Sequence, residues 1–298
     1  MALIPFDDRD GFIWMDGQML PWREARGHIL CHGLHYASSV FEGERAYNGQ
    51  IFRSADHNAR LRQSANYLDF DLPISDAELE GIKYEVLKAN NIVDGYLRPF
   101  AWRGSEMMAI SAQQTTTHIA VAAWNWPSYF DPETKMRGIT LDIASWRRPN
   151  PESAPVHAKA AGLYMICTLA KHEAERKGFQ DAMMLDYRGY VAEATGANVF
   201  FVMSDGRLHT PKADCFLNGL TRQTVIELAQ QNGLQVVERH IMPEEMAEAR
   251  ECFLTGTAAE ITPVSKIGDY EFKPAEVNQM LIDAYTDLVT TGSARKAS

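Results

Sequence analysis

Two rhythms of apolar and polar residues run along this chain. The run Phe12-Ile13-Trp14-Met15 followed by Asp16-Gly17 predicts a strand entering a hairpin turn. A second hairpin is predicted over 40–53, from Val40 to Tyr47, through Asn48-Gly49, to Gln50 and Arg53. Asn-Gly suits a tight hairpin turn because both central residues need positive φ. The period then becomes helical. One helix is predicted over 55–69, and another opens at Ser75, with Glu78 spaced as a capping box. Strand character returns at 95–103 and 117–126. The stretch 127–138 carries two prolines and several charges without periodicity. It divides the chain into a smaller N-terminal domain at 1–128, a linker at 129–138 and a larger C-terminal domain at 139–298.

The second half begins with a predicted helix over 162–176 that ends at Gly178. Strands are predicted at 181–185, 199–203 and 207–209, separated by turn signals at Arg188-Gly189 and Ser204-Asp205-Gly206. An amphipathic helix at 221–231 is closed by Gly233 and followed by a strand at 235–238. A short strand at 251–254 leads into Thr255-Gly256-Thr257-Ala258-Ala259-Glu260, and a last helix covers 274–289. No internal repeat or low-complexity stretch is present, and the expected class is α+β.

Composition narrows the function classes. At 298 residues the chain accommodates two domains. Its apolar and charged fractions, 46% and 23%, are those of a soluble globular protein. No window approaches ~18 uninterrupted apolar residues, so no membrane span is expected. The first residues carry acids and lack the basic start of a secretory signal. Cys31, Cys167, Cys215 and Cys252 are scattered without CxxC spacing, which suits reduced thiols in the cytoplasm and gives no metal signature. A formal net charge of -10 argues against a nucleic-acid partner.

The chemistry-bearing residues point to a phosphorylated aromatic aldehyde held next to a lysine. Lys159 lies among small and apolar residues, in Val156-His157-Ala158-Lys159-Ala160-Ala161-Gly162. Low polarity lowers an amine's pKa and frees it to form an imine. Tyr164, five residues on, is placed to reach an oxygen beside that imine. Glu193 suits a ring nitrogen that must stay protonated. Asn218-Gly219-Leu220-Thr221 opens a helix whose exposed amides bind phosphate, and Thr255-Gly256-Thr257 offers a second anion-binding turn. Arg60 supplies a phosphate cation. Each feature alone also fits ordinary structure: a snorkelling lysine, a solvated carboxylate, a core tyrosine, a helix cap, a turn. Together they supply a nucleophile, a ring-nitrogen partner and two phosphate cradles, and the implied cofactor is pyridoxal 5'-phosphate.

Six segments carry a family resemblance: HGLHYASSVFEGERAY at 32–47, YLRP at 96–99, AKAAGLY at 158–164, EATGANVFF at 193–201, NGLTR at 218–222 and TGTAAEITPV at 255–264. The chain closely resembles the fold-type IV pyridoxal phosphate enzymes, and within them the bacterial branched-chain amino acid aminotransferases, over nearly its whole length. That resemblance implies a two-domain fold of the D-amino acid aminotransferase kind. It implies transamination between leucine, isoleucine or valine and 2-oxoglutarate. Lys159 matches the imine-forming and proton-shuttling lysine, Glu193 the ring-nitrogen partner and Tyr164 the partner of the ring hydroxyl oxygen. Arg60, Leu220, Thr221 and Thr257 match phosphate and ring contacts, and Gly196, Asn198, Leu217, Gly219 and Gly256 complete the implied cofactor site. Tyr96 and the turn at Thr257-Ala258 match groups for the substrate α-carboxylate, and Arg98 matches the residue that meets the distal carboxylate of glutamate. Phe41, Gly43, Trp126 and Tyr129 match the walls of the apolar pocket. Tyr36 would come from a partner subunit, so a homodimer or higher homo-oligomer is implied.

Tyr96 and Arg98 lie two apart on a predicted strand, so both project from one face. A pocket for both leucine and glutamate needs apolar walls with a cationic end, and these residue types supply it. The sequence departs from the family pattern in three places. The loop 104–111 lacks the usual glycines, Glu44 stands where an apolar residue is more usual, and Asn218 where proline is. Other readings are a D-amino acid or (R)-amine transaminase, or aminodeoxychorismate lyase, of the same fold, and a non-catalytic vitamin B6 carrier.

Overall fold

The computed structural model describes residues 4–126 and 136–292. The chain divides into two compact units, Met1–Pro127 with Ala158–Gly162, and Ser128–His157 with Leu163–Ser298. The segment Ala158–Gly162 thus groups with the first unit, although it lies well beyond residue 139 in the chain.

The first unit is a seven-stranded antiparallel sheet. Strands β1 (Phe12–Met15), β2 (Gln18–Pro21), β4 (Glu44–Tyr47), β5 (Gln50–Ile51), β6 (Gly95–Arg103) and β7 (Thr117–Asn125) run in the order β2-β1-β7-β6-β4-β5, and β3 (Ser39–Phe41) also pairs with β6. The expected strand over 40–47 is interrupted at Glu42-Gly43, so β3 and β4 lie end to end along β6. Its turn forms as the dipeptide demands, with Asn48 at φ 50° and Gly49 at φ 75°. Two helices pack on the sheet, α1 (Ser54–Tyr67) and α2 (Asp76–Ala89). The capping box is present: Glu78 N donates to Ser75 Oγ at 3.2 Å, and Ser75 N to Glu78 Oε2 at 2.8 Å. Val40, Leu61, Leu79, Val86, Leu97 and Val121 are fully buried and form its core.

The second unit is a nine-stranded mixed sheet. Its strands are β8 (Ile139–Arg148), β9 (Asp181–Asp186), β10 (Val191–Ala194), β11 (Asn198–Met203), β12 (Leu208–Pro211), β13 (Val236–Arg239), β14 (Ala249–Gly256), β15 (Glu260–Ile267) and β16 (Tyr270–Glu271). Their order is β10-β9-β8-β15-β14-β11-β12-β13, with β16 on β15. The β8 strand pairs in parallel with β9 and β15, and β12 with β13. Helices α3 (Met165–Arg176), α4 (Leu220–Gln231) and α5 (Glu276–Thr291) complete it. The helix expected from 162 begins at Met165, because Ala161–Tyr164 is a 3-10 turn. Strands β8, β10, β15 and β16 are additions to the sequence reading. Pro263 inside β15 reads as a strand breaker, and β8 finds its parallel partners only through residues far away in the chain.

Candidate active site

The first unit assembles an aromatic and cationic cluster around Lys159. That residue is fixed by its backbone: its amide donates to Ser64 Oγ at 2.9 Å, its carbonyl accepts from Phe41 N at 3.1 Å, and Ala160 bridges to Val40. Ala158 and Ala160 on either side are buried. Lys159 Nζ lies 4.9 Å from the Phe41 ring centroid, and the Arg98 guanidinium lies 4.7 Å from the same centroid. Arg98 Nη2 donates to Tyr96 Oη at 3.1 Å, so the two residues share a face of β6. Tyr96 in turn packs against Trp126, ring centroids 5.3 Å apart. Gly43 is required here, since a Cβ at this position would lie 1.9 Å from the Tyr96 hydroxyl. Tyr36 stands exposed with its ring 4.7 Å from that of His32. Tyr129 lies outside the described residues.

Arg60 reaches back from α1 to Glu42. Its Nε and Nη2 donate to Glu42 Oε1 and Oε2, both at 2.7 Å, and His57 Nδ1 lies 2.7 Å from Oε2. Burial pushes the Glu42 carboxyl up, but Arg60 and His57 outweigh it and hold the group well below the usual carboxylate range. Neighbouring Glu44 is also fully buried, with Lys83 Nζ at 2.8 Å from Oε2. Burial pushes its carboxyl up, against the pull of His57 and Lys83. The atypical loop 104–111 is tethered at Ala109, whose carbonyl lies 3.0 Å from His32 Nε2.

The second unit gathers the remaining predicted cofactor residues. Glu193 is a buried carboxylate on β10. Arg148 Nε lies 3.4 Å from its Oε1, and Asn198 Nδ2 donates to its Oε2 at 3.2 Å. Burial lowers the Arg148 pKa, yet Glu193, Cys167 and Tyr164 together leave it raised. Asn198 also donates to Leu217 O at 3.0 Å and accepts from Gly219 N at 3.1 Å. This one amide therefore ties Glu193 to the start of α4. A Cβ at Gly219 would meet Asn198 Oδ1 at 2.3 Å, and Gly219 caps α4 without a side-chain hydrogen bond. Leu220 and Thr221 follow in its first turn, and Asn218 is bound by Arg222 Nη1 at 2.9 Å. Gly256 ends β14, where its Cβ position lies 3.4 Å from the Gly196 carbonyl, and Thr257-Ala258 form the turn into β15.

These residues fit pyridoxal phosphate. A helix of twelve residues that starts without a side-chain cap is the kind of terminus that suits an anion. A buried carboxylate beside a buried arginine is the type of group that can face a ring nitrogen. Glu42, His57 and Arg148 escaped the sequence reading. Two acids separated by one glycine, with His57 and Arg60 spaced for one helix face, are a signal that was present for the first two. Nothing local marks Arg148.

Residues 39–267 match the family described as Amino-transferase class IV. The chain is 42% identical over 267 residues to a probable branched-chain-amino-acid aminotransferase of Rickettsia conorii, covering 90% of each protein. A solved branched-chain amino acid aminotransferase of T.th. with pyridoxamine 5'-phosphate is similar at a TM-score of 0.92 and 37% identity, covering 96% of each chain. The structure of the T.th. enzyme complexed with N-(5'-phosphopyridoxyl)-L-glutamate has a TM-score of 0.90 at 36% identity, again covering 96% of each. Joined to a fixed lysine, a buried carboxylate and a helix start without a side-chain cap, these similarities lead to one conclusion: the chain belongs to the class IV aminotransferases, pyridoxal phosphate-dependent enzymes of fold type IV.

Proposed function

We propose that this enzyme moves the amino group between branched-chain L-amino acids (leucine, isoleucine and valine) and 2-oxoglutarate. The observation that carries the reading is the Arg98–Tyr96 pair set against Phe41 and Trp126 on one sheet face. Apolar walls take an isobutyl group, at about 25 cal/mol per Å² buried, and an arginine fork takes the distal carboxylate of glutamate. The relatives' names and the phosphopyridoxyl-glutamate complex of the T.th. enzyme point the same way.

Pyridoxal phosphate supplies an aldehyde for the amine and a ring that accepts electrons from the α-carbon. Lys159 carries the cofactor and moves the proton at the substrate α-carbon. Glu193, backed by Arg148, keeps the ring nitrogen protonated, and Tyr164 holds the ring hydroxyl oxygen. Arg60, the α4 amides at Leu220 and Thr221, and Thr257 hold the phosphate. Tyr96 and the Thr257-Ala258 turn take the α-carboxylate. Ile29, Leu34 and Tyr36 stand exposed in one short segment, at 72%, 68% and 42%; an apolar surface of this kind suits a second copy of the chain. Among the described residues no helix is long and apolar enough to cross a membrane, and the proposed setting is the cytoplasm.

The test is a half-reaction panel read by cofactor absorbance, with L-leucine, L-glutamate, D-alanine and (R)-1-phenylethylamine. Conversion by the first two alone is expected. Conversion by D-alanine or the amine, with none by leucine, would overturn the substrate reading.

A further inference from the structure

Where β3 gives way to β4 the chain places two fully buried glutamates, Glu42 before Gly43 and Glu44 after it, at the start of β4. Both reach helix α1: Glu42 meets His57 and Arg60, and Glu44 lies 3.5 Å from Ser54 Oγ. The glycine meets the Tyr96 hydroxyl instead. A carboxylate withdrawn from water is strongly unfavourable unless donors and charges meet it. Glu42 is met at both oxygens. Its bond to Arg60 is the planar two-pronged kind, which fixes a guanidinium in orientation as well as distance. The fork uses the Nε/Nη2 edge of Arg60, at 2.7 Å for each bond.

We propose that Glu42 is a positioning residue for cofactor capture: it sets the plane of the Arg60 guanidinium before the phosphate arrives. The proposal rests on the reading of Arg60 as a phosphate ligand. An arginine without such a partner must give up its rotamer freedom on binding, at a cost of about two- to tenfold in affinity. The buried carboxylate imposes that order in advance. An opposing effect exists, because the negative charge of Glu42 weakens the pull of Arg60 on an anion. His57 Nδ1 also binds Oε2, and Glu42 meets the opposite edge of the guanidinium from Nη1. The proposal takes orientation as the larger of the two effects.

The two effects give Glu42→Gln opposite signs, which makes the substitution decisive. Full-length wild type, Glu42→Gln, Glu42→Asp and Arg60→Leu are stripped of cofactor and titrated with pyridoxal phosphate and, separately, with pyridoxal, which lacks the phosphate. Pyridoxal phosphate should bind about two- to tenfold more weakly to both Glu42 variants, with pyridoxal affinity unchanged. Arg60→Leu should lose more, again for the phosphorylated ligand only. A role of Glu42 in the fold alone would weaken both ligands alike and would overturn the proposal. So would unchanged or tighter pyridoxal phosphate binding in Glu42→Gln while Arg60→Leu is impaired. Unchanged binding in Arg60→Leu would instead overturn the reading of Arg60 itself. If Glu42→Gln does not fold, Glu42→Asp carries the same expectation, because it keeps the charge and withdraws it from Arg60 by one methylene.

Discussion

Replacing Glu44 with leucine should destabilise the first unit, and replacing Lys83 as well should restore most of the loss. Both side chains are fully buried, with Lys83 Nζ 2.8 Å from Glu44 Oε2 and 2.7 Å from Asn58 Oδ1. Glu44→Leu removes the carboxylate and leaves an ammonium in the core. Breaking a buried pair in this way costs about 3–5 kcal/mol. Glu80, 3.4 Å from the ammonium and partly exposed, offsets some of that, so the lower end, about 3 kcal/mol, is expected. The double variant Glu44→Leu/Lys83→Met puts apolar groups of similar length in their place. It leaves no stranded charge, and Ser54 and Asn58 retain Glu80 as a partner; it should fall within about 1 kcal/mol of wild type. Urea unfolding at saturating cofactor measures this. Five of the six tryptophans (Trp14, Trp22, Trp102, Trp124 and Trp126) belong to the first unit, so their fluorescence reports on it. At a slope of about 2 kcal/mol per molar urea, the single variant's midpoint should drop by about 1.5 M. A double variant no more stable than Glu44→Leu would refute the reasoning. Lys83 would then be stabilised by its neutral partners, and the ion pair would contribute nothing.

Arg98→Leu should weaken glutamate and 2-oxoglutarate by about tenfold to a hundredfold, the worth of a charged contact, and leucine much less; equal losses in single-turnover rates would assign Arg98 to the α-carboxylate or the fold. The Glu42 carboxyl sits well below its ordinary 4.5 in the folded protein, so its contribution to stability is complete above that pH and is lost as the pH falls below it. Urea midpoints taken from about pH 6 down to about pH 3.5 should therefore fall more steeply for wild type than for Glu42→Gln; parallel profiles would contradict the pairing. All four cysteines are buried, and burial pushes the Cys167 thiol up to about 11 and Cys215 up to about 12. A thiol reagent at about pH 8 should label the native protein slowly and label all four sites after unfolding; rapid native labelling at Cys167 or Cys215 would contradict their burial.

Local chemistry made much of the first unit readable. The Asn48-Gly49 turn, the Ser75–Glu78 box and the Tyr96/Arg98 spacing each rest on residues near one another in the chain. In the second unit the apolar centres of β9 and β11 stood out, whereas β8 pairs in parallel with strands distant in the chain, and β15, although it forms a local antiparallel hairpin with β14, contains Pro263. The site followed the same rule. Lys159 announced itself as a cation among alanines, but its anchoring to Ser64 and Phe41 joins residues about a hundred positions apart. Glu44, on β4, looked out of place until Lys83, on helix α2, supplied its counter-charge. Arg148 behind Glu193 could be found only once the sheet had brought β8 and β10 to either side of β9.

The central claim is that Lys159 holds the cofactor, and chemical trapping tests it most directly. The purified enzyme is reduced with borohydride, digested and mapped by mass spectrometry. A single phosphopyridoxyl modification is predicted, on Lys159 in the peptide containing Ala158-Lys159-Ala160, absent from Lys159→Ala. A modification on Lys171, Lys83 or any other lysine, with Lys159 unmodified, would contradict it.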